Sequence, residues 1–558
     1  MQLRDYQQKA VDGVFSSWNH ATSSLVVLPT GCGKTIVFAS VIQRLLNEVP
    51  DNQSTPQVLV LAHREELIWQ AQQKIAAVTG ADVGIEMADL RVSPFLGHLP
   101  PVVISTVQTM NAGKGHRRME KFRPEEFAAV IIDEAHHATS PSYRRIVDWF
   151  TARNPSCKVL GVTATPDRKD EAALGQVFGS VAFEYGVRDA IEDGWLVPVR
   201  QKLVTVESLD YSHISTSGDD LNQAELAAVM EEEENLQRIA APTLEIVRQR
   251  RAIVFATSVR QAERLAEILN RSTTEKTADW ICGETPKLIR REKLASFKSG
   301  RIRFMVNVGV LTEGFDDAGV DVIVMARPTK SRALYAQMAG RATRPAADIA
   351  ARLGETDAAG RRTLIAESTK PSCLIVDFVG NSGRHKLITS TDILGGRYDD
   401  ETTARAKRKL REKSEAGEEA DVSEALEEAQ REIAAEKEEI ERKRRSVIAV
   451  AKYAQYNVNP FDRFDLVEIA EPDPTMVISP DESFRIRKYL GARKYNKSSL
   501  GARQALAREM RRRRRQGVAT LGQAKFLMSR GFLAPLRVEE ASRMISRLQM
   551  KEGWGWRR

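Results

Sequence analysis

Lys34 and Thr35 close the stretch "VVLPTGCGKT", in which an apolar run meets a Pro-Thr-Gly-Cys-Gly turn and an apolar helical segment follows. Gly31 and Gly33 let the backbone curl so that several N–H groups face one anion, and the following helix adds the positive end of its dipole. From such a turn, with Thr30 in it, Lys34 reaches β- and γ-phosphates and Thr35 offers a hydroxyl to Mg²⁺. The strict phosphate-loop spacing would place a glycine where Leu28 stands, so this loop is a variant. A carboxylate pair, Asp133 and Glu134, ends the apolar run "FAAVII". An acid at the end of a parallel strand can hold the water shell of Mg²⁺, and a second can deprotonate an attacking water. The competing reading of the pair is a helix cap. Arg341 and Arg344 are three apart, with Gln337 one turn earlier. On a helix they would share a face and could reach across a cleft to a γ-phosphate as arginine fingers.

These residues need elements to hold them. Short runs rich in Val, Ile and Leu recur to about residue 195 ("SSLVVLPT", "QVLVLAH", "PVVIST", "FAAVIIDEAHH", "CKVLGVTATP"), separated by helical segments. That alternation predicts βαβ units and a parallel sheet covered on both faces. A second set spans about 251 to 380 ("RAIVFATS", "ADWICGET", "IRFMVNVGVLTEG", "VDVIVMARPT", "SCLIVDFVG"). Residues 201 to 240 between them read as a connection and a solvated helix. After residue 395, Ala, Glu, Lys and Arg dominate, which predicts long exposed helices. From Phe484 to Arg515 there are thirteen Lys/Arg and one acid. The segment "ATLGQAKFLMSRGFLAPLRVEEASRMISRLQ" reads as a small helical unit split around Gly531 to Pro535.

Bulk composition narrows the classes. The 558 residues call for two to four domains. A net charge of +8 and a pI near 9.2 make a polyanionic partner plausible. No apolar run is long enough to cross a bilayer, so no membrane partner is expected. Four widely spaced cysteines argue against a zinc site and against disulfides. With no signal-peptide pattern at the start, this reads as a cytoplasmic protein. The eight histidines show no metal-binding pair and no nuclease constellation is visible.

The motifs in order resemble a superfamily 2 helicase of the DEAH type: "LRDYQ", "PTGCGKT", "LAHREEL", "ISTVQTM", "DEAH", "TAT", "IVFATS", "VLTEGFD" and "QMAGRATR", covering about residues 3 to 380. Within that family the "DEAHHATSPSYRRI", "RPTKSRALYAQMAGRATR", "VNPFD" and "ATLGQAKFLMSRGF" phrases resemble a phage, bacterial and mitochondrial DNA-directed group. The resemblance implies an α/β fold of two RecA-like parallel-sheet lobes with a helical, basic C-terminal extension. The domains are then 1–197 (ATP-binding lobe), 198–395 (second lobe), 396–483 (charged helical linker or hairpin) and 484–558 (basic stretch and small helical module). It implies ATP and Mg²⁺ in the cleft, with Thr35 and Asp133 on the metal. Arg4 would stack on adenine and Gln7 bond its edge. Asp316 would meet the ribose, and Gln337, Arg341 and Arg344 the phosphates. Thr163-Ala164-Thr165 stands where the family often has an opening serine.

Arg64, Thr106, Thr257 and Thr312 follow strand ends on the face that grips nucleic acid in the family, although each Thr reads equally well as a turn hydroxyl. Phe484, Tyr489 and Tyr495, interleaved with the basic stretch, could stack on bases. The expected function is an ATP-dependent helicase or translocase on duplex or branched DNA, with DNA favoured over RNA. A protein partner would dock on the charged helices or the C-terminal module. The alternatives are an ATP-switched clamp and an RNA helicase that does not unwind DNA.

Overall fold

The first sheet is built from β1 (Ser23–Val27), β2 (Gln57–Ala62), β3 (Val83–Glu86), β4 (Val102–Thr106), β5 (Phe127–Asp133), β6 (Lys158–Thr163) and β7 (Ser180–Glu184). Their spatial order is β3-β4-β2-β5-β6-β1-β7, parallel throughout. This computed structural model describes residues 3–48, 56–93, 99–113, 117–164, 174–218, 220–271, 275–382, 387–395, 398–454, 477–530, 532 and 536–551. Strands β2 and β4 are buried along their whole length, as their unbroken Val/Ile/Leu runs require of a sheet covered on both faces. Helix α1 (Asp5–Trp18) turns Tyr6, Ala10, Val14 and Trp18 inward at helical spacing. Its Gly13 lies so close to β7 that a Cβ there would meet the Ala182 carbonyl at 2.5 Å. Helices α2 (Lys34–Asn47) and α3 (Glu65–Thr79) follow β1 and β2.

The second sheet contains β8 (Val199–Asp210), β11 (Ala252–Ala256), β12 (Ala278–Ile281), β13 (Phe304–Asn307), β14 (Val322–Ala326), β15 (Cys373–Asn381) and β16 (Ala420–Asp421). A two-strand ladder, β9 (Thr216–Ser217) with β10 (Asp220–Leu221), stands apart. The order is β12-β13-β11-β14-β15-β8-β16, parallel except for the short antiparallel β16. The two-lobed α/β architecture implied by the repeated apolar runs is therefore present.

Three readings change. Residues 201–210 belong to β8, a twelve-residue strand paired with β15. Its alternating buried and open positions, one face partly wet near the sheet edge, disguised it as polar connection. The helix Glu233–Val247 is not solvated: Leu236, Ile239, Ala240, Thr243 and Val247 are buried, and the acidic run sits at its N-terminal end. The charged helices after residue 395 are not simply exposed either. Helix α5 (Asp400–Glu415) and the first turns of α6 (Val422–Ala454) bury Ala406, Leu410, Val422, Ala425, Leu426 and Ala429 in the same core as the lobes. Small alanines at helical spacing carry that packing, which charge counting hides. Helix α4 (Arg332–Ala339) lies between these elements in sequence.

Contacts divide the chain into two compact units, Met1–Ala435 and Glu436–Arg558. In the second, helices α7 (Pro480–Leu490), α8 (Leu500–Arg515), α9 (Leu521–Met528) and α10 (Val538–Lys551) surround small cores around Ile486, Leu506 and Leu521 and around Leu527 and Ala541. Tyr489 and Tyr495 pack against the first of these cores, while Phe484 stays exposed. Thr165, the "VNPFD" phrase and most of Gly531 to Pro535 lie outside the described residues.

Candidate nucleotide site between the lobes

The loop after β1 turns on two glycines in the left-handed region, Gly31 (φ 93°) and Gly33 (φ 78°). Only glycine fits without strain there. Space adds a second reason: a Cβ on Gly33 would lie 2.6 Å from Gln7 Nε2. Tyr6 Oη and Gln7 Nε2 both donate to the Cys32 carbonyl, at 2.9 and 3.1 Å, so α1 pins the loop's backbone. Burial pushes the Cys32 thiol up to about 12, so it is an inert packing group.

Lys34 opens α2 and its Nζ donates to Glu134 Oε1 at 2.7 Å. Asp133 ends β5 and accepts from the Glu134 N–H at 3.0 Å. Glu134 itself takes a left-handed backbone (φ 51°), unusual for a non-glycine residue and the kind of strain found at functional sites. The two carboxyls are held in opposite states. Burial and then the Glu134 charge push Asp133 up. Burial also acts on Glu134, but Lys34 and His136 outweigh it and hold this carboxyl well below its usual range. Glu134 Oε2 is buried with no hydrogen-bond partner among the described residues, 3.5 Å from His136 Nδ1. His136 in turn reaches Thr163 Oγ1 at 3.2 Å, linking the carboxylate motif to the end of β6.

The second lobe supplies the opposite wall. Gln337 lies on α4, but that helix stops at Ala339, so Arg341 and Arg344 stand in the turn beyond it and not on a common helix face. The turn sends them different ways. Arg344 packs on the glycine loop after β1, its Cγ and Nε 3.4 and 3.6 Å from where a Cβ on Gly31 would be, and contacts the exposed Asp316 carboxylate. Arg341 is buried and donates to the carbonyls of Thr312 (2.5 Å) and Phe315 (2.6 Å). Burial lowers both guanidiniums to about 10, so both stay charged. Gln337 is buried with its Nε2 unpartnered among the described residues. Gly340 abuts Thr30, where a Cβ would be 2.7 Å from the threonine Cβ, so the lobes touch at the loop.

Arg4 is placed beside the same loop, its guanidinium 4.1 Å from the centre of the Trp195 ring. Arg361 of the second lobe reaches that ring at the same distance. Trp195 had drawn no attention in the sequence; its only signal was an indole in the short connector between two apolar sets. Glu313 was also missed. Its carboxylate takes Arg64 Nε at 3.1 Å, and its ligand atom lies within 4.8 Å of those of His136 and His137. The absence of metal-like histidine spacing therefore did not foresee this inter-lobe cluster. Burial, then His136, lowers the His137 imidazole to about 3, so it is neutral.

The four strand-end residues diverge. Arg64 donates to the Gly309 carbonyl at 2.7 Å and so bridges the lobes, beside a second bridge from Gln70 to Gly314 at 2.6 Å. Thr106 is a buried N-cap that accepts from the Thr109 N–H. Thr312 is buried and donates to Gly309. Thr257 follows β11 with its buried hydroxyl unpartnered among the described residues. In this arrangement Thr106 and Thr312 serve as turn hydroxyls.

Residues 1–168 match the family described as type III restriction enzyme, res subunit, and residues 233–346 match the helicase conserved C-terminal domain. These two matches, one on each lobe, make the chain similar to the superfamily 2 helicases. It is similar to the putative ATP-dependent helicase IRC3 of Saccharomyces cerevisiae, 30% identical over 412 residues, 71% of this chain and 54% of the relative. The putative mitochondrial ATP-dependent helicase irc3 of Schizosaccharomyces pombe is 26% identical over 71% of this chain and 60% of its own length. The DNA 3'-5' helicase XPB of Kineococcus radiotolerans is 26% identical over 71% and 66%. The chain thus spans little more than half the length of the yeast proteins it resembles. Among solved structures, the type ISP restriction-modification enzyme LlaBIII bound to DNA shares the fold, with a TM-score of 0.50 at 17% identity over 73% of this chain and 30% of that one. The two lobes are RecA-like. Among the described residues, no helix is long and apolar enough to cross a membrane.

Proposed function

We propose that this chain hydrolyses MgATP in the cleft between its lobes and uses the cycle to move along or unwind DNA. One observation carries the reading: Lys34 and the carboxylate pair of one lobe are met at Gly31 by Arg344 of the other. Lys34 leaves Glu134 for the β- and γ-phosphates, and the backbone N–H groups of the glycine loop complete the cradle. Glu134, then free of the lysine, takes the proton of the attacking water on Oε2, which is buried without a hydrogen-bond partner among the described residues. Arg344 offers its charge to the γ-phosphate as negative charge spreads in the transition state. Arg341 holds the 312–315 turn by its carbonyls.

The residues fit a divalent cation. Asp133 is a buried carboxyl raised toward its protonated form, which a cation would displace, and Thr35 stands on the first turn of α2. When bound, Mg²⁺ would neutralise phosphate charge there; Asp133 and Thr35 would hold it. Arg4 and Gln7, beside the loop, would meet the base, and Asp316 and Gln337 of the second lobe would meet the ribose and the phosphates. DNA is favoured over RNA because relatives such as XPB are DNA helicases by name.

The test is ATP turnover with single-stranded, duplex, forked and four-way DNA and with RNA, alongside strand separation. Stimulation by DNA with unwinding or translocation is expected. Turnover without movement would make the protein a clamp, and stimulation by RNA alone would move it to the other substrate.

A further inference from the structure

The C-terminal unit contains a concave site that the motor motifs do not use. Its volume is about 690 Å³, within the range of ligand pockets. It opens between α7, α8 and the start of α9. Five cations line it, Arg485, Lys488, Arg513, Arg514 and Lys525, together with Tyr489 and no carboxylate. Arg513 is tied to Glu509 at 2.9 Å and Arg485 to Asp481 at 2.8 Å. Lys488 and Arg514 have no ion-pair partner among the described residues, and Lys525 Nζ lies over the Tyr489 ring, 5.4 Å from its centre, where a stacking base would displace it. Met510 and Leu521 add apolar wall.

A lone phosphate would leave the aromatic and apolar walls unused. A continuous duplex offers phosphates to a surface but has no flat apolar group free to enter a pocket. The lining matches a ligand that carries an anion beside an aromatic plane. We infer that this groove holds an unpaired nucleotide of a DNA strand, its base against Tyr489 and its flanking phosphates on Lys488, Arg514 and Lys525. The inference rests on the reading of the chain as a DNA motor, and makes the C-terminal unit its detector of frayed or branched ends. Base–aromatic stacking contributes about 1–3 kcal/mol per base, or roughly 5- to 150-fold in affinity.

The test uses the full chain and two fluorescent probes of equal duplex length, one blunt and one with a single-stranded arm, titrated at several salt concentrations. The double variant Lys488→Glu/Arg514→Glu reverses the unpaired charges. Gly522→Glu is independent: a Cβ on this glycine, in the first turn of α9 at the groove, meets nothing within 4 Å, so a new side chain begins in open space and adds negative charge at the groove. Each variant should lose about tenfold or more on the armed probe and far less on the blunt one. The double variant's log–log salt slope on the armed probe should fall by about 1.4, two single-strand contacts at ~0.7 each. Equal losses on both probes, or no loss on either, overturn the inference, as does polyglutamate competing as well as single-stranded DNA of equal charge. If the wild type binds neither probe, the DNA-motor reading itself has failed, which is a separate result.

Discussion

Lys34 and Glu134 form one part-buried pair, so their variants separate binding from chemistry. Lys34→Ala should reduce ATP turnover to background, because Arg344 approaches the loop from the other lobe and cannot replace the cation carried on α2 itself; a steady-state ATPase assay reads this. Retained turnover there would remove the motor reading. Glu134→Gln should keep nucleotide binding while turnover falls by roughly 10²- to 10⁴-fold, the usual contribution of a positioned base. Nucleotide titration beside the rate assay separates the two effects. The arginines should part company. Arg344→Ala should lower turnover with little change in ATP affinity, as expected of a group that acts on the transition state. Arg341→Ala should in addition destabilise the second lobe, since two backbone carbonyls at Thr312 and Phe315 lose a buried donor. A melting curve distinguishes the pair, and an Arg341→Ala that melts like wild type would return that residue to the arginine-finger role. The loop lysine and carboxylates were readable in sequence because their chemistry is local and their spacing is short. Trp195, Glu313 and the divergence of the two arginines were not, because each depends on what folds against it from a segment 100 or more residues away or on where a helix ends.

Helix α4 is anchored to its sheet by a buried polar contact. Tyr335 Oη donates to Asp377 on β15 at 2.8 Å, and Gln201 Nε2 of β8 donates to the same carboxylate at 2.5 Å. Burial pushes the Asp377 carboxyl up to about 6 although both hydrogen bonds pull it down. A carboxyl with a native pKa above its unfolded one holds its proton more tightly when folded. Its contribution to stability is present below the unfolded value near 4 and is lost as pH rises through 6. Raising a buried carboxyl from near 4 to about 6 corresponds to roughly 3 kcal/mol. Asp377→Asn removes the titration, so its melting temperature should fall less than that of wild type between pH 4.5 and pH 7. Parallel curves would locate the shift elsewhere. Elements with one dominant pattern, the doubly buried strands, were legible in the sequence. Strand β8 was not, because a strand near a sheet edge alternates polar and apolar residues, and α5 was not, because alanine buries a helix face without announcing it.

For the molecule as a whole, charge is concentrated toward the C-terminal unit. Thirteen Lys/Arg between Phe484 and Arg515 would, with about a third engaged, give a log–log salt slope near 4 at ~0.9 per duplex phosphate contact. Removing residues 477–558 should lower the measured slope by about that amount in duplex-binding titrations. An unchanged slope would confine duplex binding to the lobes. Within those lobes, the connector from β7 to β8 has its own role. Trp195 takes the guanidiniums of Arg4 and Arg361, Leu196 presses toward Gly31, and the Val197 N–H donates to the Thr343 carbonyl at 2.8 Å, one residue before Arg344. Glycine loop and arginine turn are thus two teeth meshed on one short shaft. A displacement of either is transmitted first to this connector, so the contact between the lobes at the candidate site runs through three consecutive residues.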